Sequence, residues 1–335
     1  MILVTGGTGL VGAHLLYKLT SGEEKIRAIY RNEKKLENTK NVFSYYTKDY
    51  ETAFESIEWV KADLLDIPAL SNAFKGIARL YHCAAFVSFE PDKYPLLRKT
   101  NIEGTANIVN ISISNNIDKL CYVSSIATLG TTLDNSLITE DTIWEPEADN
   151  NVYAITKYGA EIEVWRGTQE GLNAVIVNPG VILGAGIWKY GSGSIFKKAA
   201  QGLKFYTKGT VGLIAVEDVV NIMIALMDSK IINERYILIA ENWSFKKFLQ
   251  AVSKSINKKV PTKTASQLLL NIAWRLDWVN HKVTGKRRQL TKHLAKSLST
   301  KSCYSNNKIK TALAYKFKSI DQIITAVGQA YQKQD

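Results

Sequence analysis

Cysteine is scarce and scattered in this chain of 335 residues: Cys83, Cys121 and Cys303 share no paired spacing, and only four histidines accompany them. That pattern offers neither a disulfide framework nor a zinc site, so no metal is expected and a reducing cytoplasmic setting suits the protein. No run of 18 or more apolar residues occurs, which excludes an ordinary membrane-spanning helix. The first strand is expected to begin at Met1, leaving no room for a signal peptide. Carboxylates are almost missing from Lys246 to Lys318, where Asp277 stands alone among eighteen lysines and arginines, although the whole chain carries only +12. Such a region can serve nucleic acid, an anionic membrane surface or an acidic ligand, or can simply be a solvated basic surface. No nucleic-acid motif is visible and aromatics do not alternate with the basic residues, so nucleic acid is not an expected partner. With 46% hydrophobic and 22% charged residues, the chain can bury a large α/β domain, alone or with a smaller one.

What is present is concentrated at the start. An apolar run reaches Thr5, then Gly6, Gly9 and Gly12 follow at spacing three, and Ala13 to Leu19 has helical periodicity. Strand, tight turn and helix in that order form a cradle for a dinucleotide. Gly6 allows the turn, Gly9 lets a pyrophosphate approach the backbone, and Gly12 lets helix and strand pack. The helix N-terminus offers free N–H groups and a partial positive charge to the phosphates. A second strand from Lys25 to Tyr30 ends at Arg31, about twenty residues past the glycines, where a carboxylate would bind the ribose of NAD and an arginine the 2′-phosphate of NADP. Arg31 therefore favours NADP(H), with Glu33 close enough to leave NAD(H) open.

Residues 34–55 read as an insertion with a short helix and no assignable function. Strands follow at Ile57–Ala62, Arg79–Ala85, Lys119–Ser124 and Asn173–Asn178, separated by helices at Pro68–Phe74, from about Asp92 to Asn115, and around Tyr153. Alternation at this period predicts a Rossmann-type doubly wound parallel sheet of the α/β class. His82, at the end of the fourth strand, is accompanied by no partner carboxylate or Cys–His spacing and reads as a core histidine or one that only supports the site from behind.

The spacing Tyr-x-x-x-Lys occurs at Tyr30/Lys34, Tyr153/Lys157 and Tyr304/Lys308, so spacing alone decides nothing. Position singles out the second pair, which opens a helix after the fifth strand delivers Ser124 and Ser125 to the ligand-binding edge. The i,i+4 spacing puts both side chains on one helix face. A tyrosine of ordinary pKa about 10 works as a proton donor or acceptor near neutrality only if its anion is stabilised. Lowering it by about three units takes roughly 4 kcal/mol, within reach of a nearby ammonium and a positive nicotinamide. Lys157 can supply that charge, and Ser125 can hydrogen-bond a substrate oxygen.

Taken together, Thr5 to Gly12, Asp63-Leu64, His82 to Ala85, Asn101 to Thr105, Val123 to Ser125, Tyr153 to Lys157, Asn178 to Gly180 and Val216 to Val219 resemble the extended short-chain dehydrogenase/reductase superfamily, in its order. The resemblance implies Tyr153 as general acid/base, Lys157 as its partner, Ser125 as ligand of the substrate oxygen and Asn101 as support for the proton relay. It implies a cofactor site made by Gly6, Thr8, Gly9, Leu10, Gly12, Arg31, Asp63, Leu64, Ala84, Ala85 and Pro179, together with Tyr153 and Lys157. It also suggests a homodimer through the helices bearing Asn101 and Tyr153. Dehydratases of the superfamily carry an acidic pair after the strand-five serine or threonine, whereas Ile126-Ala127 stands here. Sugar-nucleotide epimerases usually place a charged segment before the Val-x-Asp-Val element, where this chain has Val211 to Ala215. The pattern is closest to the branch resembling dihydroflavonol reductases and 3β-hydroxysteroid dehydrogenases, hence an NADP(H)-preferring oxidoreductase acting on a small apolar carbonyl or alcohol. A nucleotide-sugar epimerase holding NAD, with Arg235 or Arg275 on the diphosphate, is the runner-up, and a catalytically silent dinucleotide sensor or scaffold belongs to another class.

The domain boundary is expected near residue 180, with 1–180 binding the dinucleotide and 181–335 forming mainly a smaller, mostly helical substrate lobe from which 211–240 returns to the sheet. Helices are expected at 244–257, 265–280, 285–297 and 319–332. The apolar stretch Leu268 to Trp274 with Trp278 could touch a membrane surface or cap a pocket, but packing within the lobe is the ordinary expectation.

Overall fold

The computed structural model describes residues 1–132 and 136–334. Its strands in chain order are β1 (Ile2–Thr5), β2 (Ile26–Tyr30), β3 (Glu58–Lys61), β4 (Arg79–His82), β5 (Lys119–Val123), β6 (Ala174–Pro179), β7 (Val181–Leu183), β8 (Phe205–Tyr206), β9 (Thr210–Ala215), β10 (Glu234–Leu238), β11 (Glu241–Ser244) and β12 (Lys263–Thr264). Seven of them form one sheet in the order β3-β2-β1-β4-β5-β6-β10. Every pairing in it is parallel, with Ile2 beside both Ile26 and Arg79. The chain reverses its direction of strand addition between β1 and β4, and the crevice at such a point is where open α/β sheets bind ligands.

Strand alternation builds the two layers. Ile2 and Val4 of β1, with Val175 and Val177 of β6, face the helices Leu10–Leu19 and Val216–Asp228. Leu3, Leu80, Leu120, Tyr122 and Ile176 face the opposite layer, formed by helices Ile67–Ala73, Gly104–Ser114 and Val152–Gln169. The sheet is thus buried on both faces, as its near-continuous apolar strands require.

Residues 34–55 depart from the expected insertion. They form helices Leu36–Tyr46 and Tyr50–Glu55, and Thr39, Val42 and Phe43 are fully buried. Phe43 meets Tyr17 edge-on at 5.3 Å. The Thr39 hydroxyl donates to the Gly7 carbonyl at 3.0 Å, so this segment braces the glycine turn. The long helix expected from Asp92 to Asn115 is also interrupted: Tyr94–Leu97 is α-helical, Arg98–Glu103 widens into a π turn, and Gly104–Ser114 resumes the α-helix. The π turn lets the Asn101 side chain grip the Phe86 backbone through both its amide atoms, at 2.7 and 3.0 Å.

In the second half, β7, β9 and β11 make a small mixed sheet. Helices Gly193–Ala200, Phe245–Ser255 and Ile320–Gln332 supply Phe196, Phe248, Val252, Ile324 and Val327 to its core. Of residues 211–240, only Glu234–Leu238 joins the main sheet, at its edge beside β6. Helix Gln267–Thr284 ends at Gly285, which is left-handed at φ +66. The helix expected over 285–297 shrinks to Lys292–Ser297, because Asp277 turns back to accept the Gln289 and Leu290 N–H groups at 3.1 and 3.2 Å. An unanticipated helix spans Asn307–Leu313. The apolar stretch around Leu268 packs into the lobe only in part: among the described residues of its helix Leu270 alone is buried and Trp274 is partly buried. A cavity of about 260 Å³ lies on that buried side, lined by Phe205, Phe245, Phe248, Leu249 and Leu270.

Because Phe43 sits in a closed apolar site, Phe43→Ala should lower the unfolding free energy by about 3–5 kcal/mol, read from denaturant titration. An exposed insertion would lose almost nothing.

Candidate active site

The glycine turn expected to cradle a dinucleotide begins where β1 ends. Gly6 is left-handed at φ +71, and a Cβ there would lie 2.6 Å from the Ala84 backbone nitrogen. A Cβ on Gly12 would lie 2.3 Å from the Gly6 carbonyl oxygen. No side chain fits at either position. Gly9 caps helix Leu10–Leu19 without a side-chain hydrogen bond, and no acidic residue occupies the first turn. The positive helix end is therefore unneutralised and suited to a pyrophosphate.

The other expected cofactor residues stand along the same carboxyl edge. Thr8 lies within the turn, and its carbonyl accepts from Asn38 Nδ2 at 3.4 Å. Arg31 directly follows β2, is largely exposed and has Asp63 Oδ2 at 3.6 Å. Leu64 is buried beside Gly104, its carbonyl accepting from Asn107 Nδ2 at 2.8 Å. Ala84 and Ala85 follow β4, with the Ala84 N–H donating to Thr5 Oγ1 at 3.2 Å, and Pro179 ends β6.

Helix Val152–Gln169 is started by Asn151, whose side chain accepts the Ala154 N–H at 2.9 Å. That start places Tyr153 at the end of β5, near the Ser125 hydroxyl. Burial raises the Tyr153 pKa, and the Ser125 hydroxyl draws it part of the way back down. Phe89 packs edge-on against the phenol ring at 5.4 Å. One turn further, Lys157 is 1% exposed. Its ammonium donates to the Tyr122 hydroxyl at 2.6 Å and the Val123 carbonyl at 2.8 Å. Burial lowers its pKa to about 7, against the opposing pull of Glu161 and Cys83. Asn101 reaches the same helix through Nδ2 to Thr156 Oγ1 at 3.2 Å.

Glu161, another turn along, was not singled out from sequence. It is fully buried and accepts from Ser124 Oγ at 2.5 Å, Thr128 Oγ1 at 2.8 Å and Asn178 Nδ2 at 2.9 Å. Arg235 completes it at 3.1 Å and also donates to the Glu140 carbonyl. A carboxylate in so dry a place needs this many partners. The network fixes the Ser124-Ser125 strand end, since Asn178 Nδ2 also donates to the Ser125 carbonyl at 3.1 Å. The continuing i,i+4 series Tyr153, Lys157, Glu161 is its one trace in the sequence.

His82 is buried between Thr5 Oγ1 at 2.6 Å and Thr105 Oγ1 at 3.0 Å and lies parallel to the Tyr122 ring. Tyr122, stacked on His82, accepts from the Lys157 ammonium at its hydroxyl, so buried polar groups reach from β1 to Lys157. Among the described residues no cluster suited to holding a metal ion occurs. The basic segment reaches the loop that carries Phe89: Arg287 Nε donates at 3.1 Å to the buried Glu90, the next residue in the chain.

Parallel sheet, glycine turn after β1 and a Ser–Tyr–Lys cluster after β5, all on one carboxyl edge, define a Rossmann-type α/β fold. Residues 2–238 match the NAD dependent epimerase/dehydratase family, and the chain belongs to that family. A Synechocystis protein provisionally named a dihydroflavonol 4-reductase is 30% identical over 278 residues, covering 81% of this chain and 77% of that one. Cinnamoyl-CoA reductase 1 of Petunia hybrida is 26% identical over 247 residues, or 71% of this chain and 72% of its own. The crystal structure of Thermotoga maritima UDP-glucose 4-epimerase superposes with a TM-score of 0.76 at 17% identity, covering 99% of this chain and 98% of that one.

Two buried histidines are expected to make the fold acid-sensitive. Burial lowers the pKa of His82 to about 3 and of His14 to about 4, below the unfolded value of 6.5. The unfolded chain therefore binds protons first, so their stabilisation is complete above pH 6.5 and is lost as pH falls through the folded values. Denaturant midpoints should decline steadily from pH 6.5 to 4, and His14→Gln should flatten that slope.

Proposed function

We propose that this protein is an NADP(H)-preferring oxidoreductase that interconverts a carbonyl and an alcohol on a small, apolar substrate. The observation that carries this reading is the meeting of Ser125, Tyr153 and the buried Lys157 ammonium at the end of β5, on the carboxyl edge that also holds the glycine turn. Gly6, Gly9 and Gly12 would hold the pyrophosphate, Asp63 and Leu64 the adenosine, and Lys157 the nicotinamide ribose. Bound there, the nicotinamide supplies or accepts the hydride.

In the reductive direction the Ser125 hydroxyl holds the substrate oxygen and Tyr153 gives it a proton. The phenolate left on Tyr153 is stabilised by Lys157, whose own pKa of about 7 rises as the negative charge appears one turn away. Asn101 acts as a positioning residue, tying the strand-four loop to the Tyr153 helix. Phe89 beside Tyr153 gives the reacting position an apolar wall.

Of the two arginines weighed for a sugar-nucleotide diphosphate, Arg235 is engaged with Glu161 and the Glu140 carbonyl, and Arg275 is exposed on helix Gln267–Thr284. This supports the reductase over the epimerase. The relatives named as reductases point the same way.

Tyr153→Phe should cut kcat on apolar ketones or aldehydes by roughly 10²–10⁴-fold while thermal stabilisation by NADPH persists. Retained turnover would remove Tyr153 from the chemistry, and a sensor's output would survive the change. Arg31→Ala should weaken NADPH binding by about tenfold, worth ~1.4 kcal/mol, and leave NADH binding unchanged. Purification with stoichiometric, non-exchanging NAD⁺ would instead favour the epimerase and overturn the role given to Arg31.

A further inference from the structure

The helix Gln267–Thr284 exposes much of its apolar side. Leu268 is 71% exposed, Leu276 64% and Val283 80%, and Ile272, Trp278 and Val279 are about half exposed. At 3.6 residues per turn, Leu268, Ile272, Leu276, Val279 and Val283 fall within an arc of about 80° and form one continuous stripe. The side turned inward is different: it carries Leu270, the partly buried Trp274, and Asp277. Water-facing apolar stripes of this length mark interaction surfaces.

The charges beside the stripe say what it meets. Arg275 and Lys282 border it within the helix, and exposed Lys263 and Lys286 lie just beyond the two ends. Asp277, the sole carboxylate between Lys246 and Lys318, lies roughly opposite the stripe and is occupied by the Gln289 and Leu290 N–H groups, with Arg288 at 3.6 Å. No acidic side chain of this segment is therefore free to neutralise the rim. A second copy of this helix would bring like charges together around the stripe, whereas an anionic lipid surface satisfies stripe and rim at once. Past the helix, Gly285 adopts the left-handed conformation and Arg287 pairs with the buried Glu90. The helix does not cross the bilayer, since no helix among the described residues is long and apolar enough.

We propose that helix Gln267–Thr284 is a docking surface by which this protein rests on an anionic lipid bilayer, its apolar stripe in the interface and Arg275 and Lys282 among the headgroups. The inference stands apart from the reading of the active site, since none of these residues belongs to it.

Co-sedimentation of the full chain with phosphatidylcholine vesicles, with and without roughly 30% phosphatidylglycerol, tests it. The protein should bind the anionic vesicles and leave them as salt is raised. The triple variant Leu268→Gln, Leu276→Gln, Val283→Gln should keep the parent melting temperature and bind on the order of tenfold less. Arg275→Gln with Lys282→Gln should bind about tenfold less on the anionic vesicles alone. The proposal falls if the parent protein binds neither vesicle or if the triple variant binds as the parent does. It falls equally if light scattering shows a dimer that the triple variant abolishes.

Discussion

The contact on which the rest depends is a backbone contact. At the end of β1 the chain turns through Gly6 so close to Ala84 that only hydrogen fits between them, and Gly12 repeats the condition against Gly6 itself. This closeness brings the start of helix Leu10–Leu19 against the ends of β1 and β4, where the sheet changes direction. The anion-attracting helix end and the crevice of the sheet thereby become one place. The segment 34–55 closes over the turn from outside, and its Thr39 holds the Gly7 carbonyl, so a region without an evident motif helps keep the cradle in shape.

A second constraint is electrostatic. Lys157 and Glu161 are charged groups on one buried helix face, and neither is solvated. Lys157 leans on an uncharged hydroxyl and a carbonyl, which leaves its charge poorly compensated and its pKa low. Glu161 instead gathers three neutral donors and Arg235. One ion is held ready to respond to a nearby negative charge while the other is locked, and the locked one positions the strand end bearing Ser125. Two buried charges on one helix are thus handled in opposite ways.

The C-terminal half follows a different logic. Its core gathers around a three-stranded sheet, and its helices Phe245–Ser255 and Ile320–Gln332 bury their apolar faces conventionally. Helix Gln267–Thr284 does the reverse, and the basic residues concentrated around it give that outward stripe a defined electrostatic setting. Arg287 on Glu90 connects this outer region to the loop carrying Phe89, next to Tyr153.

Local periodicity accounts for what could be read from the chain alone. The glycine spacing, the apolar strands and the Tyr153/Lys157 pair each occupy a few consecutive residues whose geometry is set by strand and helix repeats, and the parallel α/β sheet follows from their alternation. Tertiary structure decided what depends on distant neighbours. Phe43 is core because Tyr17 and Phe54 surround it, Glu161 is buried because Arg235 arrives from the edge strand, and 285–291 is not helical because Asp277 competes for its N–H groups. A period of 3.6 residues tells that helix Gln267–Thr284 has an apolar face, but only the packed chain decides that this face is left uncovered, since burial is a property of what lies opposite and not of the stripe itself.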